Sequence, residues 1–141
     1  GYIWVCAARK KDIVWEAMRT WRNQKATERF HKLEQMFLTG KTDPDFHGKV
    51  VPEGVMSWGE MVYRKDSTLE EYLEKYGIPV DWKYPVGSHD IVDADQWLSK
   101  DDSVLDIESG NYVPIDWRNC IDEYIDDLEE DTVLVAVDYH I

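Results

Sequence analysis

The sequence predicts an α+β fold: a single globular domain over residues 1–141, with a mixed or antiparallel sheet and helices packed on it. Three observations predict it. Apolar runs with both alternating sets of side chains hydrophobic stand at residues 2–8 and 132–141, as in strands covered on two faces. Apolar residues at helical spacing fill much of 12–38 and 116–128. The chain's 141 residues and 43% hydrophobic content suit one domain able to hold a core, and no internal repeat or low-complexity linker divides it.

Taken in order, residues 2–8 read as a strand. A long helix follows over 12–38, closed by Gly40, with Val14, Met18 and Trp21 and then Phe30, Leu33 and Phe37 at helical spacing. Asn23-Gln24 marks a break between the two sets. Residues 39–54 read as a loop punctuated by Gly and Pro, and 55–63 as a strand. Ser67-Thr68-Leu69-Glu70 has the form of a capping box opening a helix through Tyr76, ended by Gly77. Residues 78–84 read as an edge strand, because Pro79 cannot donate to a ladder. One or two helical turns are expected around Trp97 over 93–99, and 100–114 reads as a polar loop. Asp116 caps a final helix whose apolar stripe is Trp117, Ile121, Tyr124 and Leu128. In the last strand Val133, Val135, Val137 and Tyr139 take one face, Leu134 and Ala136 the other. The two terminal strands are thus expected in one sheet, as its central members.

Charge is uneven. The net charge is −13. Residues 1–50 hold ten Lys or Arg against six Asp or Glu, whereas 51–141 hold six against 23. That balance makes nucleic acid a poor direct partner for the second part and a basic protein surface a good one. The peak lies at 122–131, where seven of ten residues are acidic. Asp122, Glu123, Asp126, Asp127, Glu129 and Glu130 fall outside the apolar stripe. Held on a helix, such carboxylates can meet the Arg and Lys side chains that otherwise grip phosphates, so an inhibitor of a nucleic-acid-binding protein fits the pattern. Trp97 and Tyr112 are the aromatic anchors expected beside them.

Other constellations are weaker. Arg22, Lys25, Arg29 and Lys32 share one helix face and read as a solvated stripe. Asp45-Phe46-His47 and Asp138-Tyr139-His140 repeat Asp-aromatic-His, and Asp and His two apart on a strand point the same way. A metal-dependent hydrolase using Asp138, His140, Asp45 and His47 is therefore the alternative reading, with His89-Asp90 as further ligands. No HExxH, GxSxG, GxGxxG or Walker-type loop is present. Cys6 and Cys120 form no CxxC and read as two inert, buried thiols. No stretch is long enough to span a membrane, and the first apolar run lacks the flanks of a signal peptide, so a cytoplasmic location is expected unless a leader has been removed. The expectation is a binding module that needs no cofactor, rather than an enzyme.

Overall fold

A computed structural model of the chain describes residues 2–138. Helix α1, Trp15–Thr39, runs without a break. The polar pair at 23–24 does not interrupt it, because Asn23 uses its amide sideways. Its Oδ1 accepts the Ile78 N–H at 2.6 Å and its Nδ2 donates to the Ile78 carbonyl at 3.1 Å. The Asn23 side chain thus pairs with residue 78 as a neighbouring strand would. Arg19, buried, adds a bond from Nη1 to the Pro79 carbonyl at 2.5 Å. No strand forms over 78–84, and at the start of that stretch the backbone groups of Ile78 are taken by a helix side chain.

The chain divides into two compact units, Glu16–Val80 and Gly1–Trp15 with Asp81–Ile141. In the first, β2 (Gly48–Val51), β3 (Gly54–Ser57) and β4 (Glu60–Arg64) form an antiparallel meander in the order β2-β3-β4. The expected loop over 39–54 therefore contains a strand, and the single strand expected over 55–63 is a hairpin. Trp58 and Gly59 split it. Both have positive φ, 53° and 78°, the geometry that closes a two-residue hairpin without splaying the strands. Ala26, Phe30, Leu33 and Met36 line the buried side of α1 and pack on Val55, Tyr63 and Tyr72. The Phe30 ring lies 5.5 Å from Tyr63 and 5.4 Å from Tyr72, within the range of favourable aromatic pairs.

Tyr72 belongs to α2, Leu69–Tyr76. Its capping box is real but sits one residue later than the sequence suggests. Thr68 Oγ1 accepts the Glu71 N–H at 3.2 Å and Glu71 Oε2 accepts the Thr68 N–H at 3.1 Å. Ser67 is already engaged, since its hydroxyl accepts the Arg64 N–H and closes the turn after β4.

In the second unit β1, Ala7–Arg9, pairs antiparallel with β9, Val133–Val135, in the register Ala7↔Val135. The chain ends do meet in one sheet. Among the described residues that sheet has only these two strands, so neither is flanked on both sides as a central strand would be. One face is partly covered, through Ala8 and Leu134, while residues 2–5, Val133 and Val135 stay exposed. The part of the expected last strand that holds Tyr139 and His140 lies outside the described residues.

Two short hairpins follow the same rule of local closure. β5 (Asp90–Val92) pairs with β6 (Trp97–Ser99) where helical turns were expected. Asp93 closes this hairpin by accepting the N–H groups of Asp95 and Gln96 at 2.8 and 3.0 Å, the side-chain mimic of a backbone turn. β7 (Ser103–Leu105) pairs with β8 (Tyr112–Pro114) inside the expected polar loop. Helix α3, Trp117–Asp127, is capped by Asp116, whose Oδ1 accepts the Asn119 N–H at 3.1 Å. The fold is α+β, with helices and small antiparallel sheets. Among the described residues no helix is long and apolar enough to cross a membrane.

Candidate functional site

Helix α3 sorts its own acids. Ile121 and Ile125 are its buried residues, packed with Tyr84 and flanked by Trp15, Val86, Ile91, Trp117, Tyr124 and Leu134. Of the expected stripe, Ile121 is buried and Trp117 and Tyr124 pack against it, and Ile125 joins it, which turns the buried face toward Ile121 and Ile125. That rotation brings Asp122 and Asp126 round to residues 83–86. Asp122 Oδ1 accepts the Tyr84 N–H at 3.2 Å and Arg118 Nη2 at 2.8 Å. Asp126 accepts the Tyr84 hydroxyl at 2.5 Å and Lys83 Nζ at 2.6 Å. These two acids are structural latches as well as members of the acidic run. They lie off the expected stripe, yet they carry the packing of the Tyr84 segment.

The end of the helix is tied to the basic residues that follow β1. Lys10, 8% exposed, donates from Nζ to the carbonyls of Leu128 at 2.9 Å and Asp126 at 3.2 Å and stands 3.5 Å from Glu130. The last carbonyls of a helix have no partner within it and carry the negative end of its dipole, so a buried ammonium satisfies both needs. Lys11 pairs with Asp131 at 2.5 Å, and Arg9 with Asp12 at 2.7 Å. Removing the ammonium by Lys10→Ala is expected to cost about 1.5–3 kcal/mol, the range for hydrogen bonds to a charged group, measured by urea denaturation. Lys11→Ala, an exposed pair, should cost well under about 1 kcal/mol.

What faces outward is a smaller set. Glu123 is exposed and accepts Asn119 Nδ2 at 3.1 Å. Asp127 and Glu129 are exposed and, among the described residues, their side chains take no hydrogen bond or ion pair. Trp97 is 67% exposed, opposite Val92; Tyr112 is 74% exposed, opposite Leu105. Four further aromatic residues, Trp58, Tyr63, Trp82 and Tyr84, separate cleanly. Tyr63 and Tyr84 are core residues, and Trp82 lies under the Arg118 guanidinium at 4.4 Å. Trp58 is 88% exposed at a hairpin tip with positive φ.

Two phenols report on this architecture. Burial, then the bond to Asp126, pushes the Tyr84 phenol up to about 12; burial, then Asp93, does the same for Tyr124. The Tyr124 hydroxyl donates to Asp93 at 2.6 Å, which ties α3 to the turn of the β5–β6 hairpin. Lys83 and then Tyr84 hold the Asp126 carboxyl below its ordinary value. A raised phenol pKa means a contribution to stability present below about pH 10 and lost as pH rises through the folded value near 12. A lowered carboxyl pKa means a contribution present above about pH 4 and lost as pH falls through the folded value. Asp126→Asn is expected to shift Tyr84 from about 12 back toward 10 without reaching it, because burial remains. Tyrosine carbon resonances followed through an alkaline titration measure this, and an unmoved Tyr84 contradicts it.

The ligands of the hydrolase reading are spread over the chain. Asp45 and His47 are exposed and belong to the unit Glu16–Val80; Asp138 belongs to the other unit; His140 lies outside the described residues. No group of three or more His, Cys, Asp or Glu that could hold a metal occurs among the described residues. His89 is instead clamped between Asp90 at 3.0 Å and Asp101 at 3.2 Å, and Asp90 first and then Asp101 raise its pKa. A depression of about 210 Å³ with Leu33, Met36 and Phe46 in its lining is rimmed by both signs, Arg29 and Lys32 with Asp43 and Asp45. Lys32 of the basic stripe pairs with Asp43 at 2.7 Å and Lys25 with Glu28 at 3.3 Å. Both thiols are free; Cys6 is exposed rather than buried, and burial raises the Cys120 pKa. Set against protein-family models, curated proteins and solved structures, the chain matches none of them.

Proposed function

We propose that this chain is an acidic protein-binding module, of the inhibitor type, whose unit Gly1–Trp15 with Asp81–Ile141 docks a basic protein surface. One observation carries the reading. That unit holds eighteen Asp or Glu against six Lys or Arg, while the other unit holds eleven against ten. Five of the six cations, Arg9, Lys10, Lys11, Lys83 and Arg118, are already paired within it. Among the described residues, Lys100 is the one cation of the six left for the remaining acids, and Glu123 and Asp127 on α3, with Glu129 just past its end, present an anionic face. Charges on a rigid helix lose less entropy on docking than charges on a tail, and exposed Trp97 and Tyr112 supply apolar anchors that charge alone does not. A partner that normally grips nucleic-acid phosphates has the matching chemistry.

The test reverses the outward acids only: Glu123→Lys, Asp127→Lys and Glu129→Lys together. Asp122 and Asp126 are left alone, since changing them disturbs Tyr84. Partners captured from cells by the unaltered chain are quantified at rising salt and compared with those of the triple variant. Binding that weakens with salt and falls at least tenfold in the variant, with unchanged circular dichroism, is expected. Identical partners with identical affinity and salt response would leave the acidic face as a solvated surface and end the proposal.

A further inference from the structure

We propose that β7 is an open pairing edge which takes an extended, Lys- or Arg-bearing segment of the partner as an added strand. This names the partner's chemistry and rests on the docking reading above. The register pairs Ser103 with Pro114, Val104 with Val113 and Leu105 with Tyr112. Two bonds just outside the strands, Ile115 N–H to the Asp102 carbonyl at 3.2 Å and Asp106 N–H to the Asn111 carbonyl at 2.8 Å, set the phase of the ladder. Antiparallel pairs alternate between those that exchange hydrogen bonds and those that do not. Asp102, Val104 and Asp106 therefore bond across to β8, and the N–H and C=O groups of Ser103 and Leu105 point away from it. Among the described residues no other strand pairs with that edge. The outer edge of β8 differs, because Pro114 sits there with no N–H to give.

The hairpin also lacks cover. All six of its strand residues are exposed, including Val104, Leu105, Tyr112 and Val113. A two-stranded ribbon wet on both faces is marginal in water, and a third strand would shield Leu105 and Tyr112 on one face and Val104 and Val113 on the other. Proteins usually blunt such an edge with Lys, Pro or a bulge. β7 has no Lys, Pro or bulge; its protection is its three-residue length and the acids that flank it.

Charge decides the occupant. Asp101, Asp102, Asp106 and Glu108 bracket β7. A second copy laid along this edge would bring two such sets together, and like charges facing each other across strands destabilise the pairing. A strand whose apolar residues are flanked by Lys or Arg meets the same carboxylates favourably, with main-chain bonds giving affinity and side chains giving selection. The acids thus guard the edge against self-association while leaving it open to basic chains.

The test uses the whole chain and three synthetic octapeptides: alternating Lys and Val, the same peptide with Pro at its two central positions and all Lys kept, and alternating Glu and Val. Labelled-peptide anisotropy reads binding, and amide exchange reads the edge. The Lys-Val peptide is expected to slow exchange at Ser103 and Leu105 roughly tenfold or more, with the Pro peptide at least tenfold weaker and the Glu peptide not bound. Leu105→Lys, at an exposed position, should weaken the Lys-Val peptide by a similar factor. Equal binding of the Lys-Val and Pro peptides, with Ser103 and Leu105 unprotected, overturns strand addition and leaves docking by charge intact. Failure of the Lys-Val peptide to bind overturns it too, and the reversal on α3 then decides the docking reading by itself. Protection of Ser103 and Leu105 by the chain alone at high concentration would assign the edge to a second copy and overturn the basic partner.

Discussion

Gly54→Ala is expected to destabilise the unit Glu16–Val80 by about 3 kcal/mol or more, the sum of backbone strain and a forced shift of a neighbouring strand. Gly54 starts β3 directly after the Pro52-Glu53 turn, with φ 154°, a region that L side chains rarely adopt. It is buried, and a Cβ placed there would overlap the carbonyl oxygen of Tyr63 on β4. That carbonyl is main chain and cannot rotate aside. Tyr63 and the adjoining Val55 both belong to the core under α1, so displacement spreads to Phe30 and Tyr72. Gly59 provides the comparison. Its φ is 78°, but a Cβ there meets nothing within 4 Å. Gly59→Ala should therefore cost only the left-handed strain, about 1–2 kcal/mol, and Gly59→Asn less, since Asn tolerates that conformation. Urea denaturation followed by near-ultraviolet circular dichroism ranks the three, and a Gly54→Ala midpoint equal to that of Gly59→Ala would contradict the overlap.

The large local features were legible in the sequence because each needs few residues and has one solution. Asp116 capping α3 and the helix that ends at Tyr76 before Gly77 are of that kind, while the meeting of the chain ends is a long-range pairing that was legible from the two apolar runs at 2–8 and 132–141. Three other features were not legible. Strands of three residues, such as β7 and β8, are too short for alternation to show against loop composition. Asn23 resembles a helix breaker until its partner, Ile78, is known, and that partner is 55 residues away. The capping box slipped by one because two overlapping sequences, Ser67 to Glu70 and Thr68 to Glu71, satisfy the same rule, and only the turn after β4 selects between them.

The acidic run shows the same limit from the functional side. Composition identifies the run, but it cannot separate acids that hold the fold from acids that face solvent. Asp122 and Asp126 point to Tyr84, Glu130 and Asp131 to the cations after β1, and Glu123, Asp127 and Glu129 outward. A helical wheel centred on the expected stripe of Trp117, Ile121, Tyr124 and Leu128 puts Asp122 in solvent; one centred on Ile121 and Ile125 puts it at the boundary. Arg118 was a usable signal, since it stands four residues before Asp122 on the same helix, where opposite charges meet. Lys10, by contrast, is 118 residues from the Leu128 carbonyl it bonds, and nothing local marks it.

The core beneath those acids is small, so its truncation should have the largest consequence for the proposed docking face. Ile121 is 1% exposed at the centre of a cluster whose other buried members are Tyr84 and Ile125. Ile121→Ala removes three carbons and leaves a cavity that Trp15, Trp117 and Leu134 can fill only in part. The expected cost is about 2–5 kcal/mol, a large fraction of what a domain of this size holds. Ile121→Val should cost only about 0.5–1.5 kcal/mol. The two substitutions change no charge, so they separate display from electrostatics. With the cluster loosened, α3 no longer fixes Glu123 and Asp127, nor the chain at Glu129 just past its end, in one arrangement, and the proposed docking surface pays an ordering cost that the intact helix avoids. Partner affinity should therefore drop with Ile121→Ala under conditions where the chain remains mostly folded, while salt sensitivity, set by the unchanged charges, persists. Denaturation curves and partner titrations on the same samples measure both quantities. Unchanged affinity in a destabilised Ile121→Ala chain would show that rigid presentation on α3 contributes nothing to docking.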